Sequence, residues 1–154
     1  MELLVLKTLI KENLENLRFY PLASKIKIQM EIPDKTEVLS DPVRLQIIFG
    51  NILSNAIKYH DFTKSEPYIR ISTKESAQFI EVIIEDNGSG IREENLKKIF
   101  GMFYRAHRHA EGTGLGLFIV KEAVEKINGS IEVKSQYGVG TTFFVSIPKT
   151  TTSI

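Results

Sequence analysis

Asn51, Asn55 and Lys58 stand four and three residues apart in the run Asn51-Ile-Leu-Ser-Asn55-Ala-Ile-Lys58-Tyr59, a spacing that puts all three on one face of a helix. Asparagine is a poor helix former, so two of them among apolar neighbours call for a reason. With Arg44 they make a stripe directed at a polar ligand. Asp86 heads a second cluster, Asp86-Asn-Gly88-Ser-Gly90. A carboxylate at a strand end, followed by glycines that let a flat ring approach the backbone, is suited to accept a hydrogen bond from an amino group such as that of adenine. The third cluster is Gly112-Thr113-Gly114-Leu115-Gly116, which runs straight into an apolar helical pattern. A helix N-terminus presents unpaired N–H groups and a partial positive charge, a seat for phosphate oxygens. Each cluster alone has a plainer explanation: a solvated helix face, a tight turn, or close packing before a helix.

The elements that must position these residues follow from periodicity. Leu3, Leu6, Ile10, Leu14 and Leu17 predict an amphipathic helix over residues 1–20. Ile26, Ile28, Met30 and Ile32 alternate with polar residues as a strand with one wet face. Asp41 as N-cap and Pro42 in the first turn open the helix that carries the asparagines; Leu45, Ile48, Phe49, Ile52, Leu53 and Ala56 form its apolar side. Residues 60–67 read as a polar loop. Tyr68 to Thr73 and Phe79 to Ile84 pair as a hairpin, the second strand apolar enough to be covered on both faces. It delivers Asp86. Glu93 to Phe100 is a short helix, and residues 101–111 are a basic loop without period. The glycine-opened helix buries Leu115, Phe118, Ile119, Ala123, Val124 and Ile127 and stops at Asn128-Gly129. A closing hairpin pairs Ile131 and Val133 with Phe143, Val145 and Ile147, and residues 149–154 are a frayed tail.

Bulk properties exclude several functions. The 154 residues suffice for one domain with its own core. A net charge of +1 argues against a general nucleic-acid or membrane-surface binder. The absence of cysteine removes disulfides and thiolate metal sites and suits a cytoplasmic setting. No apolar run is long enough to span a bilayer. His107 and His109 lack further metal ligands nearby in sequence and read, with Arg108, as surface loop residues.

Taken in order, the asparagine helix, Asp86-Asn-Gly88-Ser-Gly90, Ile99-Phe100-Gly-Met-Phe103-Tyr104-Arg105, Gly112-Thr113-Gly114-Leu115-Gly116 and Gly140-Thr141-Thr142-Phe143 resemble the N, first-glycine, F and second-glycine boxes and closing strand of the ATP-binding domain of sensor histidine kinases, in the gyrase, chaperone, kinase and mismatch-repair ATPase superfamily (the Bergerat fold). The resemblance covers about Leu6 to Pro148. It implies an α+β fold, a two-layer α/β sandwich with a mixed sheet of about five strands covered on one face by three main helices. It implies ATP with Mg²⁺: Asn55 as metal ligand, Asn51 supporting the metal or phosphate site, and Lys58 and Tyr59 reaching the phosphates. Asp86 takes the adenine amino group, Gly88 and Gly90 shape its pocket, and Thr141 lies beneath the base. Gly112, Thr113, Gly114, Leu115 and Gly116 hold the phosphates and hinge a lid over residues 101–111, which contributes Arg105.

Hydrolytic members of the superfamily place a glutamate where this chain has Asn51, and an amide cannot take a proton from water. The resemblance therefore implies phosphoryl transfer to a histidine on a separate dimerisation domain, with a response regulator downstream. His60-Asp61 imitates an acceptor dipeptide but sits beside the nucleotide, away from any dimerisation helix. A regulatory module without phosphotransfer and an anti-sigma-type serine kinase are the alternatives.

Overall fold

A computed structural model describes residues 1–101 and 116–150. Strand β1 (Glu2–Val5) leads into helix α1 (Leu6–Leu17). Strands β2 (Lys27–Glu31) and β3 (Glu37–Ser40) precede helix α2 (Pro42–Lys58). Then come β4 (Tyr68–Glu75), β5 (Phe79–Asp86), the single turn α3 (Glu93–Leu96), α4 (Gly116–Lys126), β6 (Ser130–Gln136) and β7 (Gly140–Pro148).

The main sheet has the order β2-β4-β5-β7-β6. β2 and β4 run parallel and the other pairs antiparallel, so this is the expected five-stranded mixed sheet. Alternate residues of a strand share a face, and the core takes one face only: Ile69, Ile71, Ile80, Val82, Ile84, Phe143, Val145 and Ile147 are buried. Against them pack Ile48, Phe49, Ile52 and Leu53 of α2, Leu6 and Ile10 of α1, and Val120, Ala123 and Val124 of α4.

Several expectations change. The helix expected from residue 1 starts at Leu6, because Glu2–Val5 pairs antiparallel with Glu37–Ser40 and leaves Leu3 66% exposed. The register with a distant strand overrides a helical spacing of leucines. β5 is central in the sheet but not covered on both faces. Its outward residues Glu81, Ile83 and Glu85 are only half-buried, and on that face Arg70 bonds Glu85 at 3.0 Å and Gln29 at 3.1 Å. In α4 the core stripe is Val120, Ala123 and Val124, continued by Ile127 just past the helix end, while Ile119 is 39% exposed. The helix after Glu93 is a single turn. Of the expected tail, Lys149 and Thr150 are tied down: the Leu39 N–H donates to Lys149 O at 2.8 Å, and Leu39 bridges Thr150. Residues 102–111 of the expected lid, including Arg105, together with Gly112, Thr113, Gly114, Leu115 and the remainder of the tail, lie outside the described residues.

Candidate functional site

Asp41 caps α2 as its sequence requires, accepting from the Val43 N–H at 2.9 Å and the Arg44 N–H at 3.3 Å. The helix then runs unbroken to Lys58, which places Asn51, Asn55 and Lys58 on one side, each half-buried. Asn51 turns its amide nitrogen back to Ile47 O at 2.7 Å, so its oxygen is presented outward. Gly116, the first residue of α4, meets it there. A β-carbon on Gly116 would lie 3.3 Å from Asn51 Oδ1 and 4.0 Å from Asn55 Nδ2. The start of the glycine-opened helix is thus seated on the asparagine face, where a side chain would intrude. The Asn55 amide makes no side-chain hydrogen bond among the described residues and is available to an external partner. Lys58 lies at the last turn of α2, its ammonium 5.2 Å from the centre of the Tyr20 ring.

Asp86 ends β5, and sheet register supplies its neighbours. It is paired with Thr141 on β7, and Thr141 is paired with Ser135 on β6. The three make a polar row at one end of an otherwise apolar sheet face. Ser135 Oγ accepts from the Ile91 N–H at 2.7 Å and donates its one proton to Gly140 O at 2.9 Å. Thr141 must therefore donate across the 2.9 Å contact to Ser135, which leaves the buried Thr141 oxygen an acceptor. Asp86 Oδ1 accepts from the Gly88 N–H at 2.8 Å. Burial pushes the Asp86 carboxyl above the ordinary carboxylate range; the Gly88 N–H, His60, the Thr141 N–H and Lys64 oppose that rise. Gly90 has φ +72°, and a β-carbon there would come within 2.2 Å of Gln136 O, so only glycine lets this turn pass under β6. Gly88 is buried against Tyr59 O and His60, and the Ser89 hydroxyl donates to Tyr59 O at 3.1 Å. The end of α2 and the turn after β5 are thereby one structure.

Three contributors were not singled out in the sequence. Ser135 could have been found by counting: it lies as far before the turn at Gly138 as Thr141 lies after it. Lys64 and Asn87 carry no such signal. Lys64 Nζ donates to Gly88 O at 2.8 Å and Val139 O at 2.9 Å. Asn87 accepts from the Tyr68 N–H at 2.8 Å and donates to Glu66 O at 2.9 Å. Both residues also line an open groove of about 740 Å³ with Lys25, Lys27, Gln29 and Glu66, which includes none of Asn51, Asn55, Asp86 or Thr141.

This geometry sets a row of polar acceptors at the end of the sheet and a helix start on an amide-bearing helix. Residues 40–151 match the pattern of the family described as histidine kinase-, DNA gyrase B- and HSP90-like ATPases. The chain belongs to this ATPase family. It is 40% identical over 113 residues to the sensor protein SrrB of Staphylococcus aureus, an alignment covering 71% of this chain and 19% of that one. The chain thus spans about a fifth of the length of the curated relatives it matches. Among solved structures it resembles the mycobacterial sensor histidine kinase MprB, with TM-score 0.83 and 25% identity over 98% of this chain and all of the other. The catalytic domain of the histidine kinase ThkA gives TM-score 0.81 and 27% identity over 97% of each. The architecture is that of an ATP-binding sensor-kinase catalytic domain. Among the described residues no helix is long and apolar enough to cross a membrane.

Proposed function

We propose that this chain binds Mg·ATP and passes the terminal phosphoryl group to a histidine on a separate dimerisation domain of the same kinase, with a response regulator as the next acceptor. The observation that carries this reading is the seating of Gly116 on Asn51 and Asn55. It brings a phosphate-binding helix start and an uncommitted amide oxygen to one place, while Asp86 and Thr141 offer acceptors to a base. Among the described residues no cluster of three His, Asp or Glu side chains is arranged to hold a metal. Magnesium binds through few protein ligands and keeps water and phosphate oxygens in its shell; Asn55, whose side chain makes no hydrogen bond among the described residues, would be its protein ligand. When bound, the ion neutralises phosphate charge.

The rest is the chain's own work. Asp86 orients the base, Asn51 and Asn55 fix the polar face of α2, and Lys58 offers a cation at the helix end. We assign Tyr59, Arg105 and Gly112 to Gly116 to the phosphates and the lid that closes over them. The acceptor imidazole attacks the γ-phosphorus, the bond to the β–γ bridging oxygen breaks, and ADP leaves with that electron pair. Asn51 supplies no base for water, which favours transfer over hydrolysis. The domain itself needs no membrane contact for this task.

Incubating the chain with Mg·ATP and a separately made histidine-bearing dimerisation domain tests the reading. Acid-labile phosphate on that domain is expected. Acid-stable phosphate on serine, or nucleotide binding with no transfer to any histidine, would overturn it.

A further inference from the structure

The loop between α2 and β4 is a built structure. Asp61 Oδ1 accepts from the Thr63 N–H at 3.0 Å and from the Thr63 hydroxyl, and the Lys64 N–H returns to Asp61 O at 3.3 Å. This is the side-chain turn that Asp favours. Phe62 packs on the core, its ring centre 5.6 Å from that of His60. Buried His60 is held through Nε2, 3.2 Å from Tyr68 O. The loop is therefore anchored at both ends, and what it projects is the half-buried Lys64.

The two carbonyls that Lys64 reaches belong to the turns on either side of the base pocket. Gly88 follows Asp86, and Val139 precedes the Gly140-Thr141 strand start. These turns are otherwise joined there by the Gly138 N–H to Ser89 O bond at 2.7 Å. One ammonium thus ties residues 24 and 75 positions away in sequence, next to the carboxylate whose ionised form its charge favours. An ionised carboxylate only accepts; it pairs with an amino group and opposes an oxo oxygen.

We propose that Lys64 is a positioning residue of the base pocket and that, by clamping the two turns beside Asp86, it sets how strictly the site selects a purine bearing an amino group at C6 over one bearing an oxo group. This rests on the nucleotide-binding reading above. Without the clamp the Gly138–Ser89 bond and the β5–β7 pairing still hold the strands, but the two carbonyls are released, Asp86 gains freedom and water, and the oxo base meets less opposition.

Calorimetric titration of Mg·ADP and Mg·IDP (inosine diphosphate) into the parent chain, K64M, K64R and K64Q tests this, since the two ligands differ only at the base edge. K64M is expected to reduce the ADP-over-IDP preference about tenfold, the scale of the net contribution of about one hydrogen bond. K64R, which keeps both charge and donors, should retain the parent's preference. Should K64M fail to unfold cooperatively, K64Q takes its place in the same comparison and is expected to lose preference likewise. Equal weakening of both nucleotides, or an unchanged preference in the neutral variants, overturns the clamp while leaving the nucleotide reading intact. A folded parent chain that binds neither nucleotide overturns both.

Discussion

Asp86 carries opposite obligations to folding and to binding. Burial raises its pKa above the ordinary value of 3.8, so folding favours the protonated form. The stability it contributes is therefore greatest below pH 3.8 and is lost as pH rises through the folded-state value. Asp86→Asn keeps an oxygen to accept from the Gly88 N–H but cannot ionise. It should melt higher than the parent at pH 7 and lose that advantage below pH 3.8, which thermal unfolding across pH reads directly. The same variant should bind adenine nucleotide far more weakly by calorimetry, since it replaces a charge-assisted acceptor with a neutral amide. Asn55→Ala separates a metal ligand from a general scaffold residue: affinity for ATP should fall in the presence of magnesium and stay near the parent's in its absence. Equal losses in both conditions would remove Asn55 from the metal's coordination.

At the scale of elements, the site depends on how closely α4 approaches α2. Alanine at Gly116 would place its β-carbon 3.3 Å from Asn51 Oδ1, a contact relieved by a few tenths of an ångström, so Gly116→Ala should alter stability by less than about 1 kcal/mol. Valine adds two methyl groups against the asparagines. Gly116→Val should cost about 1–3 kcal/mol in stability by overpacking and weaken ATP binding at least about tenfold, or about 1.4 kcal/mol. Calorimetry and denaturant unfolding on both variants distinguish a local loss from a general one. The face of α2 was legible because 3.6-residue periodicity sorts apolar from polar positions within one segment. The adjacency of Asp86 and Thr141 was legible only through the family resemblance, because it arises from the register of strands far apart in sequence. Lys64 left no trace because its partners are backbone carbonyls, which look alike at every position. The strand at Glu2–Val5 was mistaken for helix because Leu3 and Leu6 fit a helical spacing while its partner, β3, comes more than thirty residues later.

Across the whole molecule, β3 gathers more than its length suggests. Leu39 faces Leu3 across an antiparallel pair and Thr150 across a parallel bridge, and the residue after Ser40 is the cap of α2. Residues from the two extremities of the described chain thus flank one short strand, with about two interstrand spacings, roughly 9–10 Å, between them. That geometry makes the fold a candidate for circular permutation. A flexible bridge of about six residues, whose average span is roughly 12–15 Å, could join Thr150 to Glu2, and the chain could be reopened in the exposed turn between β4 and β5 at Ser76–Gln78. The rearranged protein should fold cooperatively and bind ADP as the parent does. Success would mean that the nucleotide site is specified by how the layers pack, and that the order in which the ribosome delivers them can be changed without loss.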